Sequence, residues 1–211
     1  FDPTDDSVYE GNETAIISIS SVSGADAAES GSQSVTITIT ENDSSPTVTF
    51  ATSATSIAEN AGSSLTLTAT SSIAADEDIT VSISTSGTGT EGTDYSTISD
   101  ITISAGSTTG TVSFTPTDDS IYEGNETGIV AISGVSGADA AESGSQSVTI
   151  TITENDSSPT ITLATSATSI AENAGSSLTL TATSSIVADE DITVSISTSG
   201  TGTEGTDYST I

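Results

Sequence analysis

The sequence predicts an all-β fold of tandem seven-stranded antiparallel β-sandwiches with a period of 113 residues, and three observations carry that prediction. The chain repeats itself. Glu41-Asn42-Asp43-Ser44-Ser45-Pro46-Thr47 returns as Glu154-Asn155-Asp156-Ser157-Ser158-Pro159-Thr160, and self-similarity at a fixed period outranks any local reading. Over the 98 residues where the chain overlaps its shifted copy there are nine differences, most of them small swaps such as Val8/Ile121, Ile17/Val130, Val48/Ile161 and Phe50/Leu163. Apolar residues also alternate with hydroxyls, as in Ser147-Val148-Thr149-Ile150-Thr151-Ile152-Thr153, which is the signature of a half-buried antiparallel strand. Finally, Gly, Ser and Asp clusters interrupt the chain at short intervals and no long 3.6-residue periodicity occurs, which excludes an α/β fold.

Within the complete repeat the alternation places strand A near residues 47–57, B near 63–71, C near 78–85 and D near 95–104. Strands E, F and G follow near 108–115, 127–134 and 146–153. Thr suits their wet faces because it is β-branched and still bonds water. The Ala-rich stretch Ala138 to Glu142 is expected to form one helical turn between F and G. If Pro46 and Pro159 mark the joints, residues 1–45 are the C-terminal part of one repeat, 46–158 a complete repeat and 159–211 the N-terminal part of the next. The chain then reads as a window on a longer array. A unit of this length can bury its own core.

Thirty acids stand against no Lys, Arg or His. No salt bridge can form between side chains, and nothing attracts nucleic acid or anionic lipid. Cations are the natural counter-charge, which favours a saline or calcium-rich exterior. The absence of Cys leaves stability to packing and metal. No apolar run approaches the roughly 18 residues of a membrane span.

If successive strands alternate in direction, the A–B, C–D and E–F loops and the residues after G share one end of the sandwich. Nine of the fifteen acids in residues 46–158 then fall at that end: Glu59, Glu91, Asp94, Asp118, Asp119, Glu123, Glu126, Glu154 and Asp156. Such crowding calls for a hard cation with about six to eight oxygen ligands, and Ca²⁺ suits flexible carboxylate loops better than Mg²⁺.

These segments resemble the Calx-β domain family. Ser56-Ile57-Ala58-Glu59-Asn60-Ala61-Gly62 is similar to its early S-x-x-E-N-x-G motif, and Gly92-Thr93-Asp94-Tyr95 to its G-x-D-Y motif. Asp118-Asp119-Ser120-Ile121-Tyr122-Glu123-Gly124-Asn125-Glu126 resembles its D-D-x-x-x-E-x-x-E stretch. The resemblance implies an immunoglobulin-like sandwich that binds Ca²⁺ through Glu59, Asp94, Asp118, Asp119, Glu123, Glu126 and the backbone carbonyl of Ile121, completed by Glu154 and Asp156. Where calcium-binding members carry three consecutive acids after strand G, this chain has Glu154-Asn155-Asp156, with one neutral amide. In the flanking partial repeats the same pattern implies Asp5, Asp6, Glu10, Glu13 and Asp43 on one side and Glu172 and Asp207 on the other. The Glu-Asn-Asp-Ser-Ser-Pro joint is also similar to cadherin linkers, whose other motifs are missing.

Gly87-Thr88-Gly89-Thr90-Glu91-Gly92 fits G-x-G-x-x-G literally, but a strand follows where a dinucleotide site needs a helix N-terminus. Asp76-Glu77-Asp78 lacks the glycine of an EF-hand loop. Tyr9, Tyr95, Tyr122 and Tyr208 recur with the repeat and are expected to pack beside the acidic tip. Without His, Cys, Lys or Arg there is no general base near neutral pH and no activated nucleophile, so no enzyme is expected. The expected function is a spacer in a long extracellular or cell-surface adhesive protein, of the kind the resemblance implies for bacteria, with Ca²⁺ stiffening the joints. Its partners are neighbouring repeats, without nucleic acid or membrane insertion. The alternatives are a filament subunit assembled by strand complementation between chains and a calcium-sensing module.

Overall fold

The computed structural model describes residues 1–211 and contains only strands and loops. It falls into two compact units. The first joins Phe1–Asp118 to Asn125–Thr153; the second joins Asp119–Gly124 to Glu154–Ile211.

The first unit opens with β1 (Val8–Tyr9), β2 (Glu13–Ser18) and β3 (Ser34–Ile39), and β2 and β3 form an antiparallel hairpin. The complete repeat then contributes β4 (Thr47–Thr52), β5 (Ser56–Ala58), β6 (Leu65–Ser71), β7 (Ala74–Ala75), β8 (Ile79–Gly87), β9 (Ile101–Ile103) and β10 (Thr109–Phe114). In the second unit, β11 is Ile121–Tyr122; β12 (Glu126–Ser136), β13 (Ala141–Glu142) and β14 (Ser147–Thr153) return to the first. One sheet has the order β10-β6-β4-β13 and the other β5-β14-β12-β8-β9.

The sandwich core follows from the alternation. Val48, Leu67, Phe114, Val130 and Ile150 are all completely buried, each offered by an inward position of its strand. Phe114 stacks on Tyr95 with ring centroids 4.6 Å apart. Gly128 lies opposite them, where an added Cβ would come 2.8 Å from the Phe114 ring.

Four details differ from the sequence expectation. The single strand A is two strands: β4 pairs with β6 and β5 with β14, because the chain crosses between sheets at Ser53–Thr55. Strand D is confined to β9, since Tyr95 leaves the ladder to form isolated bridges with Glu91 and Pro116. Ala138 to Glu142 is not helical. Gly137, Ala138 and Asp139 have φ of 94°, 50° and 49°, which no right-handed helix allows, and β13 follows them. Nor are the sheets purely antiparallel: β13 runs parallel to β4, and β5 parallel to β14.

The second unit contains β15 (Ile161–Thr165) and β16 (Leu180–Ser184) as an antiparallel pair, in the same register as β4 and β6. Its β17 (Val187–Ala188) runs parallel to β11.

A candidate metal site at the acidic tips

In the first unit, one depression is lined by the carboxyl-bearing residues Asp6, Glu10, Glu13, Glu41 and Asp43. The hairpin creates it: Glu13 pairs with Ile39, so Glu41 and Asp43 leave β3 beside the start of β2. Gly11, with φ of 70°, turns the chain between β1 and β2 and brings Glu10 to the same place. Asp6 accepts the N–H of Val8 at 2.9 Å, and Asp5, outside the depression, accepts the Asn42 side-chain amide at 2.9 Å.

Glu41 organises this tip. Its Oε2 accepts the N–H groups of Glu10 and Gly11 at 2.6 and 2.8 Å, and its Oε1 accepts those of Asn42 and Asp43, both at 2.8 Å. Led by the Asp43 amide, these bonds hold its carboxyl down to about 2. Glu10 is displaced the other way: the neighbouring Glu13 charge, then burial and the Asp6 and Asp76 charges, raise it. An acid pushed up by like charges gains from a cation among them.

The complete repeat places the corresponding residues as follows. In the first unit Glu59 is 5% exposed and donates its N–H to the Thr153 carbonyl at 3.0 Å. Asp94 and Glu126 bring carboxylate oxygens within 4.8 Å of each other. Asp94 is fixed by accepting the Thr90 N–H at 2.6 Å, while its own carbonyl accepts the Thr117 N–H at 2.9 Å. Asp118 is exposed. In the second unit Asp119 accepts the Ile121 N–H at 2.7 Å, and Glu154 and Asp156 have oxygens within 4.8 Å. Glu154 repeats the Glu41 arrangement, accepting Glu123 and Gly124 at 2.7 and 2.9 Å and Asn155 and Asp156 at 2.8 and 2.7 Å. Burial pushes its carboxyl up, but those four amides outweigh it and the net shift is downward. In the last partial repeat Glu172 is exposed, and Asp207 accepts the Thr203 N–H at 2.8 Å, as Asp94 does from Thr90.

Three carboxylates play roles that residue type alone does not announce. Glu91 accepts the Thr85 hydroxyl and the Ile98 N–H, both at 2.6 Å, so it pins the loop that carries Asp94. Glu204 does the same with Thr198 and Ile211 at 3.1 and 2.9 Å. Glu41, in turn, is the staple of the first tip; the repetition of Glu41 at Glu154 was the available signal.

The donor set is carboxylate and carbonyl oxygen throughout, with no imidazole or thiolate in the chain. Hard divalent cations, Ca²⁺ or Mg²⁺, fit such a set, and the grouped carboxylates can hold one.

No curated protein matches the sequence. Eleven chains of solved structures match it. One, described as the crystal structure of an apo-form Calx CBD1 domain, is 16% identical, with a TM-score of 0.45, over 55% of this chain and 100% of that one. The Calx-beta domain family matches residues 3–43, 41–156 and 154–211. With those three successive matches covering nearly all of its length, the chain belongs to the Calx-beta domain family, as a tandem array.

Proposed function

We propose that the chain is a spacer segment of a long extracellular surface or adhesive protein, and that Ca²⁺ held at the repeat tips stiffens the joints. The observation that carries this reading is the depression lined by Asp6, Glu10, Glu13, Glu41 and Asp43, in a chain with no cationic side chain to neutralise it. By the 113-residue period, Asp6, Glu10, Glu41 and Asp43 correspond to Asp119, Glu123, Glu154 and Asp156 of the second unit. When bound, a calcium ion supplies charge neutralisation and coordination bonds between loops; it supports no reaction here. The side chains lack a base that titrates near neutral pH, so the role is structural and non-catalytic. Because an ion that binds only the folded state stabilises it by mass action, the spacer is strongest where calcium is millimolar, outside cells. No helix is long and apolar enough to cross a membrane.

Titration of the chain with CaCl₂ by calorimetry tests this directly. Binding is expected in the range of about 0.1–1 mM, as for extracellular modules, and Asp6→Asn with Glu13→Gln should remove the sites of the first tip selectively. Absence of any calcium-dependent heat, with the chain folded, would reduce the tips to a solvated acidic surface.

A further inference from the structure

Each joint between repeats contains the same small contact. In the first unit β1 runs parallel to β7, pairing Val8 with Ala74 and Tyr9 with Ala75. The Tyr9 carbonyl accepts the Asp76 N–H at 3.1 Å, and its hydroxyl donates to Asp139 Oδ2 at 2.8 Å. The ring is 8% exposed and belongs to the same apolar cluster as Ala75 and Ala138 of the following repeat. In the second unit β11 meets β17 in the same register, pairing Ile121 with Val187 and Tyr122 with Ala188, and the Tyr122 carbonyl accepts the Asp189 N–H at 3.3 Å. The E–F segment Asp119–Gly124 thus belongs to the compact unit of the repeat that follows it.

Three further observations point the same way. Of the nine positions that differ between repeats, two face each other across this ladder: Val8 with Ala74 becomes Ile121 with Val187. Both partners enlarge together. The receiving loop is preformed and strained: Gly137, Ala138 and Asp139 hold φ of 94°, 50° and 49°, a left-handed run that non-glycine residues rarely adopt. The copy at Gly24, Ala25 and Asp26 has φ of 92°, 52° and 57° although Ala25 and Asp26 are exposed, so the loop itself builds this shape. Finally, two of the four amides that Glu41 holds are those of Glu10 and Gly11, immediately after Tyr9, and two of the four that Glu154 holds are those of Glu123 and Gly124, immediately after Tyr122.

We infer that successive repeats dock through a tyrosine latch. Tyr9 inserts into the B–C and F–G end of the next repeat, Tyr122 makes the same ladder with the B–C strand of the repeat after it, and the glutamate after strand G holds the tyrosine's loop in the inserting conformation. The partner this surface fits is the following repeat of the same array, with the left-handed F–G loop as its receptor. The latch deepens the spacer reading and rests on it for its purpose, but its contacts are protein to protein and form without metal.

The test is amide hydrogen exchange of the 211-residue chain by NMR in EGTA and in calcium, reading the Asp76 amide against the β8–β12 ladder as an internal reference. In EGTA the Asp76 amide is protected in the native chain. Tyr9→Ala lowers that protection by about fivefold, the factor that one net hydrogen bond of about 1 kcal/mol is worth, and leaves β8–β12 unchanged. Tyr9→Phe keeps the ladder and loses only the Asp139 bond, so it gives a smaller loss; Glu41→Gln loosens the Asp76 amide without touching it. Unchanged Asp76 exchange in Tyr9→Ala, with β8–β12 intact, overturns the latch. Protection that appears only in calcium also overturns it while leaving the metal-stiffened spacer standing. Protection in EGTA with no calcium response establishes the latch and removes the calcium reading instead.

Discussion

The end of strand β8 is where the structure makes its sharpest demand on one residue. Gly87 has φ of 124°, and a Cβ built there lies 2.0 Å from the Thr127 carbonyl oxygen, where ordinary contact begins at 3.4 Å. The strain of that backbone conformation costs about 1–3 kcal/mol for a non-glycine residue. Moving Thr127 also breaks its 3.0 Å bond from the Gly89 N–H, worth about 1 kcal/mol net. Gly87→Ala should therefore destabilise by about 2–4 kcal/mol in total. Gly62 is the control: its φ is 61° and nothing lies within 4 Å of an added Cβ, so Gly62→Ala costs about 1–2 kcal/mol from handedness alone. At about 2–4 °C per kcal/mol for a unit of this size, thermal unfolding followed by circular dichroism separates the two. Gly87→Ala also displaces the loop that carries Asp94. Equal melting shifts for the two variants would refute the close approach of β8 to β12.

Other perturbations give equally definite expectations. Phe114→Ala removes a fully buried ring stacked on Tyr95 and should cost about 3–5 kcal/mol in urea unfolding. The Glu41 carboxyl lies near 4.5 when unfolded and at about 2 when folded. Its contribution is therefore complete above about 4.5 and is lost as pH falls toward 2; Glu41→Gln should flatten acid unfolding in that window when measured in EGTA. With 30 acids and no Lys, Arg or His, NaCl alone should raise the melting temperature by screening self-repulsion, and a melting temperature that falls with salt would contradict that electrostatic account.

The strands with strict alternation were legible in the sequence. Leu65–Ser71 and Ser147–Thr153 form strands as read, because period-2 apolar patterning leaves only one face to bury. Strand A was read as continuous because Ser53–Thr55 continues the same residue types, and only pairing partners reveal the crossing. The alanines after Gly137 favour a helix locally, yet the three positive φ values there end any helix. Glu41 was harder still, since accepting four backbone amides leaves no pattern of paired residue types in the sequence. The tyrosines posed a different difficulty. In a near-perfect repeat, a contact within one repeat and the same contact made one repeat on leave identical sequence traces. Tyr9 was expected beside the acidic tip, which does not say which repeat receives its side chain; it joins the core cluster of the next.

The claim that calcium stiffens these joints is tested most directly by thermal unfolding of the chain in EGTA and in calcium, alone and with Asp118→Asn plus Asp119→Asn. Calcium at ten to a hundred times its dissociation constant should add about 1.4–2.7 kcal/mol per site, raising the melting temperature by several degrees, and the double variant should reduce that rise. A melting temperature indifferent to calcium, in a chain that is folded throughout, would contradict it.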